Sequence, residues 1–191
     1  MSADGCGLDC INCYALVAYL PDPLAAFLDE LRLRLIPGCK PHAHVTLLPP
    51  RPLADPEEAL RQLRRRMADV PAFEVQASGL AVFPRTDVIY VDIGQGRDTL
   101  IDLHAQLNRD ALWFDEPFPY HPHITLAQEI QPGRLEELEA IARQAWSGYP
   151  YPRMFPVEDL VFVQNTVQNN WLDLASVRLR EQSRDLEGAL V

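Results

Sequence analysis

Residues 41–50 read PHAHVTLLPP, and residues 120–129 read YHPHITLAQE. Each stretch contains a histidine followed by an aliphatic residue, a threonine and a leucine. In each stretch a second histidine stands two positions before that histidine. The chain has five histidines, and four of them lie in these two stretches. Such a concentration of an infrequent residue indicates that the two stretches perform one task together.

The aliphatic residues of both stretches predict strands in which alternate side chains share a face. One face then carries imidazoles and a hydroxyl, while the aliphatic residues between them point into the core. In the first copy the residues that share this face are His42, His44 and Thr46, and in the second they are His121, His123 and Thr125.

The same order of elements surrounds each histidine strand. A strand and a helix precede it, and a helix and a strand follow it, which predicts a duplicated α+β unit. Two such units facing each other would form one domain, residues 13–180, with lobes over about 13–86 and 87–180 and a shared cleft.

We expect residues 1–12 to be a flexible, cysteine-containing N-terminus and residues 181–191 to be a tail. The other expected strands are 12–20, 73–83, 88–93, 160–164 and 171–177, and the expected helices begin near Asp22, Asp55, Gly96 and Pro132.

Two histidines and two threonines in one cleft suit a phosphodiester reaction that uses no metal. A neutral imidazole can take a proton from the attacking oxygen, and a protonated imidazole can give one to the leaving oxygen, because the ordinary histidine pKa lies near neutrality. The threonine hydroxyls can donate hydrogen bonds to phosphoryl oxygens as negative charge develops on them.

At this point the sequence resembles a known family. The segments HVTL at 44–47 and HITL at 123–126 are similar to the paired His-x-Thr motifs of the two-histidine (2H) phosphoesterase superfamily. That superfamily includes 2′-5′ RNA ligase-like proteins and cyclic nucleotide phosphodiesterases. The likeness covers nearly the whole chain through the duplicated order of elements. It implies an α+β fold, bilobal, with two antiparallel sheets around a central cleft and the helices outside.

The resemblance also implies roles for the motif residues. His44 and His123 would be the catalytic acid–base pair, and Thr46 and Thr125 would bind phosphate, with no cofactor. The substrate would carry a 2′,3′-cyclic phosphate or a 2′-5′ linkage, as in nucleotides or RNA ends. Which histidine is the base and which is the acid stays open.

Five further residues are candidates for contact with substrate. His42 and His121 could orient the motif histidines or contact the substrate, although either could be only a residue at the cleft rim. Arg85 follows a strand in FPR and could bring a guanidinium to the phosphate. Tyr120 and Trp171 are candidates for stacking on a base.

The charge of the chain limits its partners. The net charge is −10, from 27 acidic against 17 basic side chains. Long nucleic acids are bound mainly through neutralisation of their phosphates, so we expect a small nucleotide or an RNA terminus and no long nucleic acid. No apolar run is long enough to span a membrane, and the N-terminus does not read as a secretory signal. We expect a cytoplasmic monomer.

Two rival interpretations remain open. Two His-x-His pairs could bind a metal, although each is followed by threonine and leucine with no acid within four residues. Alternatively, the cleft could bind a nucleotide or RNA end without turnover.

His104 is interpreted as a packed or surface histidine of its helix. Cys6, Cys10 and Cys13 share a spacing with some iron–sulfur ligand sets, but no disulfide framework is expected.

Overall fold

A computed structural model describes residues 9–40 and 42–181. Within these residues the chain forms eight strands, four α-helices and one turn of 3₁₀ helix at Asp110–Leu112. Of the expected flexible N-terminus and tail, residues 1–8 and 182–191 lie outside the described residues, whereas residues 10–12 belong to the first strand. The strands are β1 (Cys10–Tyr19), β2 (His44–Arg51), β3 (Phe73–Phe83), β4 (Val88–Ile93), β5 (His123–Ala127), β6 (Met154–Val157), β7 (Asp159–Thr166) and β8 (Trp171–Arg178), and the helices are α1 (Leu24–Leu35), α2 (Pro56–Met67), α3 (Arg97–Leu107) and α4 (Leu135–Ser147).

The strands form two antiparallel four-stranded sheets, as predicted for an α+β fold. The first sheet has the order β2-β1-β7-β8, and the second has the order β5-β4-β3-β6. Each histidine strand is therefore the edge strand of its sheet. β2 pairs with β1, and β5 pairs with β4. β1 and β4 are the first strands of the two duplicated units.

The composition of the lobes differs from the predicted division at residue 86. β3 pairs with β4 in the second sheet, and β7 and β8 return to the first sheet beside β1. The first lobe is thus built from both ends of the described residues, and the second from their middle. The reason is local for β3, because the turn at 84–87 is so short that Phe83 directly opposes Val88.

Helix starts follow the predicted Asp-Pro signals with one shift. At α2 the side chain of Asp55 accepts a hydrogen bond from the amide of Glu58 at 2.9 Å, with Pro56 as the first helical residue. At α1 the helix begins one residue after Pro23, and Asp22 accepts from the amide of Ala26. None of the described helices has both the length and the apolar character needed to cross a membrane.

The first strand begins earlier than the sequence predicts, at Cys10 rather than at Asn12. Cys10 is disulfide-bonded, although the sequence indicates no disulfide framework, whereas Cys13 and Cys39 are free thiols. Cys6 lies outside the described residues.

The helices of the two halves cross over the junction between the sheets. α1, which precedes β2, packs against β5 and α4, and α3, which precedes β5, packs against β2. β2 and β5 also contact each other. This exchange holds the two histidine strands next to each other at the centre of the molecule.

Candidate active site

The two motif strands begin at their motif histidines and alternate as predicted. His44 lies opposite Tyr19 of β1, and His123 lies opposite Asp92 of β4. The motif histidines and threonines are half-buried, whereas the aliphatic residues between them are fully buried in the core. The buried residues of the two motifs are Val45, Leu47, Ile124 and Leu126.

Both motif imidazoles are fixed by the same local contact. Nδ1 of His44 lies 2.6 Å from the carbonyl oxygen of His42, and Nδ1 of His123 lies 2.7 Å from that of His121. A ring nitrogen this close to a carbonyl oxygen must donate its proton, which defines the tautomer. In both residues Nε2 is therefore the nitrogen that can accept a proton from a ligand or, after protonation, return it.

The environment of His44 favours its neutral form. Burial lowers the pKa of His44 to about 4, and the positive charges of Arg32 and His123 act in the same direction. The hydrogen bond to the carbonyl of His42 and the charge of Asp29 oppose this shift in pKa. The electrostatic interaction between His44 and His123 indicates that both imidazoles share one small region.

His123 has a lowered pKa for similar reasons. Burial is the main cause, followed by the charge of His121, while the hydrogen bond to the His121 carbonyl and the charge of Asp92 raise the pKa. The two motif histidines therefore differ in their surroundings. The charge of Arg32 acts on His44, whereas a carboxylate lies near each histidine, Asp29 for His44 and Asp92 for His123.

Aromatic rings pack around the second motif histidine. The ring centroids of Phe83 and Tyr90 lie 5.0 and 5.4 Å from that of His123 in edge-on arrangements, and the two rings stack on each other at 4.0 Å. On the first lobe, the Tyr19 ring lies 6.3 Å from His44. Sequence reasoning missed these aromatics, although Phe83, Tyr90 and Tyr19 lie in strands that alternate.

The two preceding histidines have different environments. Nε2 of His121 lies 3.0 Å from Oδ1 of Asp92, and Arg97 donates to its Nδ1 at 3.1 Å while also binding Asp92. This geometry favours the orienting role for His121, whose carbonyl holds His123. His42 is exposed and has a φ of 125°. Among the described residues, its imidazole packs edge-on against one aromatic ring, that of Tyr19. It stays a candidate for contact with substrate.

The structure does not support a base-stacking role for Tyr120. Its ring already stacks on His104, with centroids 4.0 Å apart and the planes nearly parallel. Its hydroxyl donates to the carbonyl oxygen of Thr46 at 2.8 Å. Because one ring face and the hydroxyl are occupied, Tyr120 belongs to the junction between the lobes.

Trp171 and Arg85 remain open to a ligand. Trp171 is exposed at the start of β8 and shares a face with Asp173, whose carboxylate accepts a hydrogen bond from Tyr19 at 2.7 Å. Arg85 is exposed in the turn after β3, two residues beyond Phe83. Both therefore stay predictions for substrate contact.

The four histidines of the two stretches do not form a metal-ligand set. Both ring nitrogens of His121 are engaged by Asp92 and Arg97, so its lone pair is not directed at a shared ion. Across residues 9–40 and 42–181, no group of three or more His, Cys, Asp or Glu side chains is arranged to hold a metal.

A family model describes most of this chain. The model of the 2'-5' RNA ligase superfamily matches residues 20–169, which include both motif strands and all four helices.

Curated relatives carry phosphoesterase names. A Geobacillus kaustophilus protein named "Putative phosphoesterase" is 27% identical over 127 residues, covering 61% of this chain and 69% of that protein. A Staphylococcus aureus protein of the same name is 29% identical over 98 residues, which span 50% of this chain and 57% of that protein.

Solved structures share the fold. Escherichia coli LigT in its apo form aligns with a TM-score of 0.61 at 19% identity, covering 88% of this chain and 98% of LigT. LigT has also been solved in complexes with ATP, phosphate and 3'-AMP. Kluyveromyces marxianus Usb1 aligns with a TM-score of 0.55 at 16% identity, covering 88% of this chain and 98% of Usb1.

Proposed function

The chain belongs to the 2′-5′ RNA ligase superfamily, and we propose that it is a phosphodiesterase of 2′,3′-cyclic phosphates or 2′-5′ linkages in nucleotides or RNA ends. One observation carries the proposal. The two motif imidazoles are fixed by matching Nδ1 contacts of 2.6 and 2.7 Å, so that each keeps Nε2 for a ligand. A symmetric pair of this kind fits a reaction that needs one proton acceptor and one proton donor.

Hydrolysis of a cyclic phosphate uses the pair as follows. Nε2 of one neutral histidine takes a proton from water, and the water oxygen forms a bond to phosphorus. The bond from phosphorus to one ribose oxygen breaks, and the other histidine, protonated at Nε2, gives its proton to that oxygen. The roles of His44 and His123 are assigned only as a pair. The step leaves the first histidine protonated and the second neutral, and proton exchange with water restores the starting forms.

The threonines complete the phosphate site. Thr46 and Thr125 lie on the same strand faces as the two histidines, and their hydroxyls can donate to the non-bridging phosphoryl oxygens. The acidic chain, with its net charge of −10, favours a small substrate over a long nucleic acid. The complexes of LigT with ATP, phosphate and 3'-AMP support a small anionic ligand for this chain too.

The test is hydrolysis of 2′,3′-cyclic AMP and 2′,3′-cyclic GMP by purified protein in excess EDTA, with products separated by chromatography. We expect turnover that is unaffected by the chelator and a nucleoside monophosphate as product. Activity abolished by EDTA and restored by a divalent metal would replace the proposal with a metal-dependent reaction. Binding without turnover of these diesters and of 2′-5′-linked dinucleotides would replace it with a binding module.

The pH dependence of this reaction should be acidic. The pKa of His44 is lowered to about 4, and that of His123 is lowered from 6.5. Because a histidine loses its proton above its pKa, the form with one protonated imidazole becomes scarce as pH rises past 6.5. We expect kcat/KM to peak below pH 6.5 and to fall about tenfold per pH unit above the peak. A value of kcat/KM that keeps rising to pH 8 would contradict a reaction that needs one protonated imidazole of this pair.

Removing one threonine hydroxyl should affect turnover strongly. Thr46→Val and Thr125→Val keep the shape of the side chain and remove the donor, so we expect each to lower kcat by about 10²-fold. Thr99→Val is a matched control, because Thr99 is an exposed residue of α3 and belongs to neither motif strand. Steady-state kinetics with 2′,3′-cyclic AMP check the prediction. Equal kinetics for all three variants would remove the threonines from the phosphate site.

A further inference from the structure

Two side chains bind the motif strands from across the junction between the lobes. Arg32 of α1 donates from a guanidinium NH2 group to the carbonyl oxygen of Thr125 at 2.9 Å. Tyr120, which precedes β5, donates to the carbonyl oxygen of Thr46 at 2.8 Å. The two contacts run in opposite directions, and each ends on the backbone of a motif threonine.

These contacts occur where the two sheets could otherwise have joined. β2 and β5 are edge strands that contact each other, yet they belong to separate sheets. Edge strands present backbone groups that need partners. Here side chains from the opposite lobe fill that need at Thr46 and Thr125, and the strands stay apart as the two sides of one site.

Arg32 is an unusual residue to bury at this position. Only 9% of its surface is exposed, and its Nε has no hydrogen-bond partner among the described residues. Among the described residues, its guanidinium has two further hydrogen-bond partners, the thiol of Cys39 at 3.4 Å and the carbonyl of Lys40 at 3.5 Å. Arg32 forms no ion pair within the part of the chain that the structure describes, and a buried cation without such a partner is costly to desolvate. The cost is consistent with a role in the site rather than in stability alone.

Tyr120 is supported by a chain of polar contacts that leads back to β2. Its ring stacks on His104, whose Nε2 lies 3.0 Å from the carboxylate of Glu116. Glu116 forms an ion pair with Arg51, which is the last residue of β2. Burial raises the pKa of the Tyr120 hydroxyl, so it remains a neutral donor. The position of Tyr120 relative to β2 is therefore fixed at two points.

We propose that Arg32 and Tyr120 are positioning residues that together set the distance and orientation between the two catalytic strands. The proposal rests on the proposed function, because it assigns the residues to a reaction at the His44–His123 pair. Each residue holds the strand of the opposite lobe by the carbonyl of its phosphate-binding threonine. Loss of either contact frees one strand relative to the other without removing a group that touches substrate.

The first test is Tyr120→Phe, which keeps the stacked ring and removes only the hydroxyl. We expect kcat on 2′,3′-cyclic AMP to fall by about 10- to 100-fold, as small misplacements of reacting groups do, with KM changed less than about twofold. Tyr14→Phe is the matched control, since Tyr14 is also a stacked tyrosine and its hydroxyl accepts a hydrogen bond from the side chain of Gln164. Wild-type kcat in Tyr120→Phe, or an equal loss in Tyr14→Phe, would overturn the proposal.

The second test separates the charge of Arg32 from its shape. Arg32→Met removes a positive charge that lowers the pKa of His44, so the titration midpoint of the His44 imidazole should rise in NMR spectra and the acid limb of kcat/KM should move to higher pH. Arg32→Lys should restore the midpoint but not the full kcat, because an ammonium lacks the planar fork that reaches both Thr125 and Lys40. The other groups that face His44 are Asp29, His123, Tyr19 and His42.

The NMR titration needs no turnover, so it distinguishes this proposal from the proposed function. If wild-type protein hydrolyses no diester but Arg32→Met still raises the His44 midpoint, the placement of Arg32 beside the motif histidine stands and the assigned reaction fails. If Arg32→Met leaves the midpoint at its wild-type value while the protein is active and folded, the proposal for Arg32 is overturned.

Discussion

Replacing either motif histidine by alanine is expected to lower kcat/KM for 2′,3′-cyclic AMP by between about 10²- and 10⁴-fold. The loss should be of this size in both His44→Ala and His123→Ala, because the reaction needs a proton acceptor and a proton donor in the same turnover. Steady-state kinetics in excess EDTA measure it. Near-ultraviolet circular dichroism establishes that each variant keeps the fold.

The double variant gives a sharper result than either single one. When two groups act as a unit, removing the second after the first costs little more. The His44→Ala/His123→Ala protein should therefore be no more than about tenfold slower than the slower single variant. Losses that multiply in full, or a single variant that keeps more than a tenth of the wild-type activity, would show that the histidines do not work as a pair.

Removing one partner of the buried ion pair between Arg51 and Glu116 should have the largest effect on stability. Their side chains are 1% and 9% exposed, and Arg51 also donates to the carbonyls of Pro49 and Leu112 and to the side chain of Asn108. Glu116→Gln leaves the guanidinium buried without its counter-charge. We expect the free energy of unfolding to fall by about 3–5 kcal/mol, measured by urea denaturation.

A surface pair of the same chemistry is the control. Arg134 and Glu137 form an ion pair at the start of α4 with about half of each side chain exposed. Because water screens such a pair, Glu137→Gln should change the urea midpoint far less than Glu116→Gln does. Similar shifts in the two variants would mean that the Arg51–Glu116 pair is screened like a surface pair, and the predicted cost would be wrong.

The sequence was sufficient where structure depends on neighbouring residues. Alternation of side chains in a strand predicts that His44 and Thr46 share one face while Val45 is buried, and the structure agrees. The Asp55–Pro56 signal predicts the start of α2 for an equally local reason. The duplicated order of elements predicts two sheets with a histidine strand in each.

The sequence was insufficient where partners are far apart along the chain. It does not say which sheet the last strand of each repeat joins, so the boundary between the lobes was misplaced and β3 belongs with β4. Arg32 and Thr125 are 93 positions apart, and Tyr120 and Thr46 are 74 apart. Neither contact leaves a local pattern, so the sequence makes Tyr120 only a candidate for stacking on a base and carries no signal for Arg32.

The measurement that tests the central claim most directly is an NMR titration of the two motif imidazoles with 2′-AMP. The ¹⁵N-labelled protein is treated with EDTA, and the resonances are assigned with His44→Ala and His123→Ala. If both imidazoles face one phosphate, its negative charge should shift the Nε2 signals of both residues and raise both titration midpoints. Binding of 2′-AMP that perturbs only one histidine, or neither, would contradict a shared phosphate site.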